Sequence, residues 1–475
     1  MEKESERSSR EARAGIPPDL QRAMEEEAKT RRINVAQDCV DGIFYTGVRV
    51  GEQSFLITSK REVMSFEDAE RAGLRLSSKE VTASRFSVNG ITEFLEGRRR
   101  VDPAGLYRKI EAYIRRFVRL NSDAEYALLA LWTMGTYIFK LFRHFPYIHL
   151  FGEKGSGKSL IMEVLQPVCF NGSMTANTTP AVIYRGIQLH SPSMFLDEME
   201  QVRIQDRETR GAIMSVLNTG FMSMGYVERC EGEKHEVVRY PTYSPKMIAS
   251  INDLDEVLRD RAIRIRMVRK LEEEKVEDYT TRKEVLDLQS DLRDELYRFA
   301  LDWGVQLGRI YDEHRDKIPG LEGLHNRQID LWSPIMLLGG LVDEASRKTD
   351  SPTNLTHILS GLATSKAQER LRDDSQDNET VKALSVTERM LEELTPLKEE
   401  GGKKVYLTDE VLRYFQRQDE FSWLQSKPWL SRLLSGRLDV EIKKQHVDGT
   451  TKKVYVVDVD RVEELAKRYG LESEV

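Results

Sequence analysis

The sequence is poor in cysteine. Cys39, Cys169 and Cys230 are the three in 475 residues, and no two stand in a CxxC spacing. That excludes a disulfide framework and a structural zinc cluster, and a reducing cytoplasm is the expected setting. Long apolar runs are also missing. The longest, Tyr126 to Phe142, is short for a bilayer span and carries Lys140 and Arg143 at its end, so it reads as a buried helix and no membrane contact is expected. The opening stretch, Met1 to Gly15, is crowded with Glu, Arg and Ser and lacks the apolar core of a secretory leader. Positive charge is not in excess: 72 Lys and Arg against 79 Asp and Glu leave −7. A chain that coats nucleic acid over its whole surface is usually basic, so any such contact here must be local. Internal repeats and low-complexity tracts are absent.

The composition, 40% hydrophobic and 32% charged, suits a soluble globular protein with many surface helices. Its length allows roughly two to four domains with cores that need no disulfides. Residues 1–34 read as a charged flexible arm. Residues 35–98 carry short strands, Gly42 to Val50 and Ser54 to Thr58, and form a small β-rich N-terminal domain. Residues 99–144 turn helical, with Leu106, Ile110, Tyr113, Ile114 and Phe117 on one face that packs on the next domain. Residues 145–270 alternate strand and helix, which predicts an α/β core with a parallel sheet. Residues 271–365 are helical with a break near Pro319 and Gly320, and the polar stretch 366–385 reads as a linker. Residues 386–475 form a last domain. Helices at Leu407 to Phe415 and Trp429 to Leu438 precede strands at Val440 to Gln445 and Lys453 to Asp458, which suggests a winged helix.

The strongest motif is Gly152, Glu153, Lys154, Gly155, Ser156, Gly157, Lys158 and Ser159, which meets the GxxxxGK[ST] pattern in full. Its glycines let successive backbone N–H groups turn inward around phosphate oxygens, and the next helix adds its positive end. In such a loop Lys158 reaches the β- and γ-phosphates and the Ser159 hydroxyl holds Mg²⁺. An apolar strand, Tyr147 to Phe151, precedes it and an amphipathic helix comes after, so ATP and Mg²⁺ are the expected cofactors.

Three later segments belong with this loop. Met194 to Leu196 is an apolar strand that ends in Asp197 and Glu198. Beside the P-loop strand, both acids fall at the carboxyl edge of the sheet, where ligands bind. Asp197 would order the metal shell and Glu198 would activate the attacking water. Lys246 to Ile251 is a second apolar strand leading to Asn252, which can orient that water or simply form a turn. Then comes Val257 to Ile265 with Arg259 and Arg261. An arginine between a helix and a strand can reach a neighbouring subunit's nucleotide as a finger; Arg261 is the first candidate and Arg259 the second, against an ordinary surface ion pair.

This series resembles the AAA+ ATPases, in particular the ring-forming branch with superfamily 3 and MCM-type helicases. It is similar to the uncharacterised ATPase domains of phage, plasmid and mobile-element primase-helicases. Thr175 to Arg185, Phe195 to Glu198, Leu217 to Gly220, Ser244 to Ala249 and Leu258 to Ile265 carry the likeness, with His325 to Pro334 matching the lid segment. It covers roughly residues 105–345 well and the last domain more loosely. The resemblance implies a homo-oligomeric ring, a hexamer among the candidates, that hydrolyses ATP and moves along DNA, single-stranded DNA favoured, in a mobile-element or phage-type replication system. It makes residues 271–365 a helical lid and Arg327 the arginine that closes over the nucleotide, unless Arg327 simply pairs with Asp330. Members often carry an upstream primase-polymerase domain; this chain has room only for the β-rich region, so priming is not implied.

Two segments are candidates for nucleic acid. Tyr226 to Tyr240 reads as a hairpin turning at Gly232, with Lys234 and His235 near its tip. In superfamily 3 helicases a hairpin at this place grips single-stranded DNA, but Glu231, Glu233 and Glu236 crowd the tip, and a solvated hairpin or a subunit contact stays open. Lys443, Lys444, Lys452 and Lys453 make the wing basic, with Glu463 and Glu464 offsetting them. Winged helices also dock proteins, so a protein partner at this domain stays open. Trp423 and Trp429 are expected in its core. The second functional reading is a nucleotide-gated assembly or defence-system ATPase that controls a partner without unwinding DNA.

Overall fold

The computed structural model describes residues 31–81, 84–97, 99–175, 179–200, 206–231, 236–271, 274–377, 379–424, 426–447 and 449–468. They form two compact units, residues 1–364 and 365–475.

The first unit opens with short strands: β1 (Arg31–Ile33), β2 (Gln37–Val40), β3 (Ile43–Val50), β4 (Gln53–Thr58) and β5 (Val63–Ser65). Helix α1 (Phe66–Arg71), strand β6 (Leu74–Leu76) and helix α2 (Val88–Glu96) come next. Strands β2 to β5 make an antiparallel meander, and β1 pairs in parallel with β6. Within the stretch read as an arm at 1–34, Arg31–Ile33 is a strand with a partner; residues 1–30 lie outside the described residues. Ile33, Tyr45, Leu56, Ala69 and Leu74 form a small core.

The chain continues through α3 (Pro103–Phe117), α4 (Asp123–Thr136), β7 (Tyr147–Phe151), α5 (Lys158–Leu165), β8 (Ser173–Thr175), α6 (Pro180–His190), β9 (Met194–Leu196) and α7 (Arg207–Thr219). The hairpin β10 (Tyr226–Glu231) and β11 (Glu236–Pro241) leads to β12 (Lys246–Ser250), α8 (Glu256–Arg259) and β13 (Ala262–Arg266). Asp102 caps α3, its carboxylate accepting from Ala104 and Gly105 N–H, and Pro103 takes the first helical position, where no N–H is needed. The run Tyr126 to Thr136 is buried all round, which is why α4 shows no polar face.

Five strands form a parallel sheet in the order β13-β7-β12-β9-β8. Counted from β7, that is 5-1-4-3-2, an α/β P-loop core of AAA-like topology. Lys246–Ser250 and Met194–Leu196 are buried throughout and β7 nearly so, as expected of a parallel sheet covered on both faces. The carboxyl ends of β7, β9 and β12 therefore open at the same edge.

Three helices complete this unit: α9 (Lys283–His314), α10 (Arg327–Ser346) and α11 (Leu355–Asp377), within which the division of units falls. The long α9 also carries the β-rich region, which does not stand apart. Gly304 lies under the Phe44 ring, where an added Cβ would come within 2.8 Å. Arg61 pairs with Asp302 at 3.0 Å, and Asp294 accepts from the backbone N–H of Ser87, the N-cap of α2, at 2.9 Å.

The second unit contains α12 (Glu379–Glu393), β14 (Lys398–Glu400), β15 (Lys403–Leu407), α13 (Thr408–Gln416), α14 (Lys427–Arg437), β16 (Glu441–Val447), β17 (Thr450–Asp458) and α15 (Val459–Arg468). Its antiparallel sheet has the order β14-β15-β17-β16, and the helix pair ahead of the β16–β17 hairpin has the winged-helix layout. The described residues of the stretch read as a linker at 366–385 lie in α11 and α12 instead, and Ala383 and Leu384 reach the core. Apolar residues at helical spacing outweigh the charge that suggested a linker. Trp429 packs partly against this core, but Trp423 is 52% exposed, contrary to expectation: its indole meets Trp429 edge-on at 4.8 Å and goes no deeper.

One buried cation anchors the root of the β10–β11 hairpin. The fully buried Lys246 ammonium donates to the carbonyls of Thr242 at 3.0 Å, Ser244 at 3.1 Å and Gly220 at 3.4 Å. Burial pushes its pKa down to about 7. The folded chain thus binds fewer protons than the unfolded one between pH 7 and the ordinary value of 10.5, so this group makes stability rise with pH across that window. In Lys246→Met that rise is expected to shrink by roughly 1–3 kcal/mol, measured as unfolding free energy at pH 7 and pH 9.5 against the parent protein. Parallel curves for the two proteins would refute the assignment.

Candidate functional site

The loop between β7 and α5 needs backbone angles that only glycine takes easily. Gly152, Gly155 and Gly157 have φ of 150°, 79° and 89°. A Cβ on Gly152 would come within 2.3 Å of the Met267 carbonyl. Lys158 begins α5, and its ammonium donates to the carbonyls of Gly152 at 2.7 Å and Glu153 at 2.9 Å, which folds it over its own loop. The hydroxyl of Ser159 donates to Asp197 at 2.7 Å. The structure thus brings the residue after the loop lysine against the first acid beyond β9.

These groups line one cavity of about 570 Å³. It holds Lys154 to Leu160 on one side and Asp197, Glu198, Glu200, Ala249, Ser250 and Ile251 on the other. Glu198 is exposed and carries a φ of 53°, a left-handed conformation that costs a residue with a Cβ. Its N–H donates to the Asp197 carboxylate at 2.8 Å. The strained turn presents the Glu198 side chain to the cavity. The Ser159 hydroxyl and the Asp197 carboxylate are hard oxygen ligands, the type Mg²⁺ takes while keeping several waters. Among the described residues no group of three or more His, Cys, Asp or Glu could hold a metal without such help.

Asn252 is not among the residues that line this cavity. Strand β12 ends at Ser250, and Asn252 lies beyond the bend, beside a smaller hollow with Arg210, Asp253 and Leu254. Ser250 and Glu200 border both spaces. The Glu200 carboxylate accepts from the Ile251 N–H and so fixes the bend. Behind it, the buried His149 of β7 meets the Ser250 hydroxyl at 2.7 Å. That hydroxyl gives its own proton to the Asn252 carbonyl, so His149 Nε2 is the donor. Burial, with the Arg264 charge nearby, pulls the His149 pKa down to about 3, so the ring stays neutral.

The arginines lie elsewhere. The carbonyl of Arg261 accepts from the N–H of Tyr147, at the start of β7, while the phosphate loop leaves the other end. Five residues of strand separate them, roughly 15 Å. The guanidinium of Arg261 donates to the carbonyls of Asn218, at 2.9 Å, and Val257. Burial and then the nearby Arg327 lower its pKa. Arg327 lies over the Phe221 ring at 5.1 Å and pairs with Asp330 at 3.2 Å and Asp260 at 3.8 Å. It does not close over the P-loop cavity of its own chain, because its local i,i+3 partner holds it at the far end of the sheet. Arg259 is 10% exposed and turns inward to Asp253 at 3.6 Å.

A second hollow, of about 470 Å³, lies on the other side of the loop. Phe117, Val118, Leu160, Met267, Val276 and Tyr279 line it together with Gly155 to Gly157. The charged Arg119, Lys270, Glu277 and Asp278 also border it, so its lining is mixed, and both cavities share the loop. Nothing in the motif points to the lining residues outside it and the adjoining Leu160, because they come from two distant segments, 117–119 and 267–279.

The nucleic-acid candidates are mixed. Lys234 and His235 lie outside the described residues. Along the hairpin, Arg239 pairs with Glu228 at 2.9 Å, and Arg185 of α6 with Glu231 at 2.6 Å. On the wing, Lys443 reaches Glu441 at 2.5 Å and Lys452 is half-buried. Lys444 and Lys453 are exposed and face each other directly across the β16–β17 ladder, a like-charge pair that an anion would relieve. Among the described residues, no helix is long and apolar enough to cross a membrane.

No family model and no curated protein matches the sequence. Solved structures do. SCCmec type IV Cch, described as an active helicase, matches with a TM-score of 0.37 at 10% identity, over 92% of this chain and 80% of that one. The apo C-terminal region of NrS-1 gives 0.32 at 12% identity, over 75% and 74%. Brucella abortus NtrX in complex with ADP gives 0.22 at 14% identity, over 78% and 79%. Identities and scores this low transfer no residue role to this chain.

Proposed function

We propose that this protein is a ring-forming ATPase that couples ATP hydrolysis to movement along DNA. One observation carries the ATPase part: Lys158, Ser159, Asp197 and Glu198 surround one cavity at the carboxyl edge of the sheet, with Ser159 and Asp197 in direct contact. The triphosphate lies along the loop, where Lys158 exchanges its two carbonyls for phosphate oxygens. Mg²⁺ at Ser159 and Asp197 would neutralise charge on the β- and γ-phosphates. Glu198 takes a proton from water as its oxygen attacks the γ-phosphorus, and the bond to the ADP oxygen breaks. The nucleobase occupies the second hollow beside the loop, against its apolar and aromatic wall of Phe117, Leu160, Met267 and Tyr279.

The ring part rests on Arg261 and Arg327. Both sit about a strand's length from their own cavity, so the nucleotide either can reach is a neighbour's. Two guanidiniums side by side repel, and a phosphate between them is favourable. The exposed Lys444–Lys453 pair supports a DNA contact at the wing.

A second reading, an assembly that ATP builds to control a partner protein, is favoured by the hairpin. Its Arg239 is neutralised by Glu228, and its Glu231 neutralises Arg185 of α6, which reduces the charge this face offers a phosphate backbone.

Glu198→Gln is expected to keep ATP binding and lose about 10²-fold or more in phosphate release, whereas Lys158→Ala loses binding itself. Single-stranded DNA should stimulate the parent protein's ATPase; a rate unchanged by any DNA selects the second reading. Arg261→Ala should lose about 10³-fold alone. Mixing it with Lys158→Ala should restore part of the activity, since one contributes intact loops and the other intact fingers. If the mixture stays as inactive as its components, Arg261 does not act across subunits.

A further inference from the structure

The second hollow beside the loop has an aromatic wall that the phosphate chemistry does not explain. Tyr279 forms part of that wall, in the segment between β13 and α9. Its ring meets Phe117 edge-on at 5.3 Å, and Phe117 meets Tyr113 of α3 in the same way at 5.5 Å. Gln289, on α9, is 3% exposed and lies between the two tyrosines. Its side-chain nitrogen donates to the Tyr113 hydroxyl at 2.9 Å and to the Tyr279 hydroxyl at 2.9 Å. An amide nitrogen carries two protons, and both are used. The Tyr113 hydroxyl passes its own proton to the Val164 carbonyl at 2.9 Å. Helix α5 ends at Leu165, so that carbonyl is among the last four, which have no partner inside the helix.

An unbroken buried chain therefore runs from the wall of the hollow to the end of the helix that starts at the phosphate loop. Burial keeps the Tyr113 hydroxyl protonated far above neutral pH, so its donation to Val164 is permanent. On the outside the same segment is pinned by ion pairs: Arg116 to Glu277 at 2.8 Å and Glu284 at 2.6 Å, and Arg119 to Glu274 at 2.8 Å. Glu277, Glu284 and Arg119 are well exposed, and such pairs hold a segment weakly. The buried amide is the anchor with direction.

We propose that Gln289 is a positioning residue for the nucleobase, holding Tyr279 as the wall of the base slot and linking that wall to the end of the P-loop helix. The inference rests on the nucleotide site proposed above. It adds that recognition of the base is set by a residue of the long helix that touches neither base nor phosphate.

The test compares a ligand that has a base with one that has none. ATP and inorganic tripolyphosphate, each with Mg²⁺, are titrated calorimetrically into the parent protein, Gln289→Met and Tyr279→Phe. Methionine keeps the length and volume of glutamine and removes both donors. With Gln289→Met, ATP should bind about five- to tenfold more weakly, the loss of two buried hydrogen bonds, while tripolyphosphate is bound within about twofold of the parent. Tyr279→Phe loses one of the two bonds and should show the same selective weakening to a smaller extent. It also carries the test alone if Gln289→Met does not fold. An equal loss for both ligands means a merely structural glutamine and overturns the proposal, as does no loss for either. A parent protein that binds neither ligand would remove the nucleotide site itself, and this inference with it.

Discussion

The 2.7 Å hydrogen bond from the Ser159 hydroxyl to the Asp197 carboxylate joins two parts of the chain that have no other reason to meet. One is the helix that leaves the phosphate loop; the other is the turn after the buried strand β9. They converge because β7 and β9 lie on either side of β12 and all three run the same way. A sheet of antiparallel strands would send their ends to opposite edges. Parallel order places the loop, the acid pair and the end of β12 on one rim, and a cavity for a polyphosphate is the consequence. The strain at Glu198, with φ of 53°, belongs to the same geometry, since the chain must turn sharply to show both acids to one space.

The opposite rim is where the arginines gather. Arg261 is fixed beside the start of β7 and Arg327 beside Phe221, so the sheet itself separates them from the cavity of their chain. Under the function proposed above, a phosphate loop on one rim and these arginines on the other would require a second copy to complete the site. Buried polar groups tie the two rims to their surroundings. His149 links the middle of β7 to the end of β12, Lys246 roots the hairpin at the beginning of β12, and Gln289 links α9 to the aromatic wall of the second hollow. Each is costly to bury without hydrogen-bond partners, and the bonds each makes help to fix these strands and helices in register.

Legibility in the sequence tracks contiguity. The phosphate loop, the Asp197–Glu198 strand end and the parallel α/β sheet can be read because each depends on a short run with a periodic neighbour. The Arg327–Asp330 pairing is visible as an i,i+3 alternative, while the lid role given to Arg327 needs a distance that no run of residues encodes. Glu200, Ser250, Tyr279 and Gln289 leave no motif, because they reach the site from separate elements and only the folded chain brings them together. Asn252 is carried away from the cavity by a single bend after Ser250, and that bend is set by Glu200 through a contact across the sheet. The charged stretch at 366–385 misleads because its composition hides the helical spacing of its apolar residues.

The proposal that a neighbouring subunit completes the site can be tested directly. An electron cryomicroscopy map of the protein with Mg²⁺ and a slowly hydrolysed ATP analogue would show where the γ-phosphate lies. If the reading is right, it sits between Lys158 and Glu198 of one copy, with Arg261 of the next copy turned toward it and released from the Asn218 carbonyl. A nucleotide bound with Arg261 still on Asn218 in every copy, or a protein that stays a monomer with its cavity filled, would contradict the shared site.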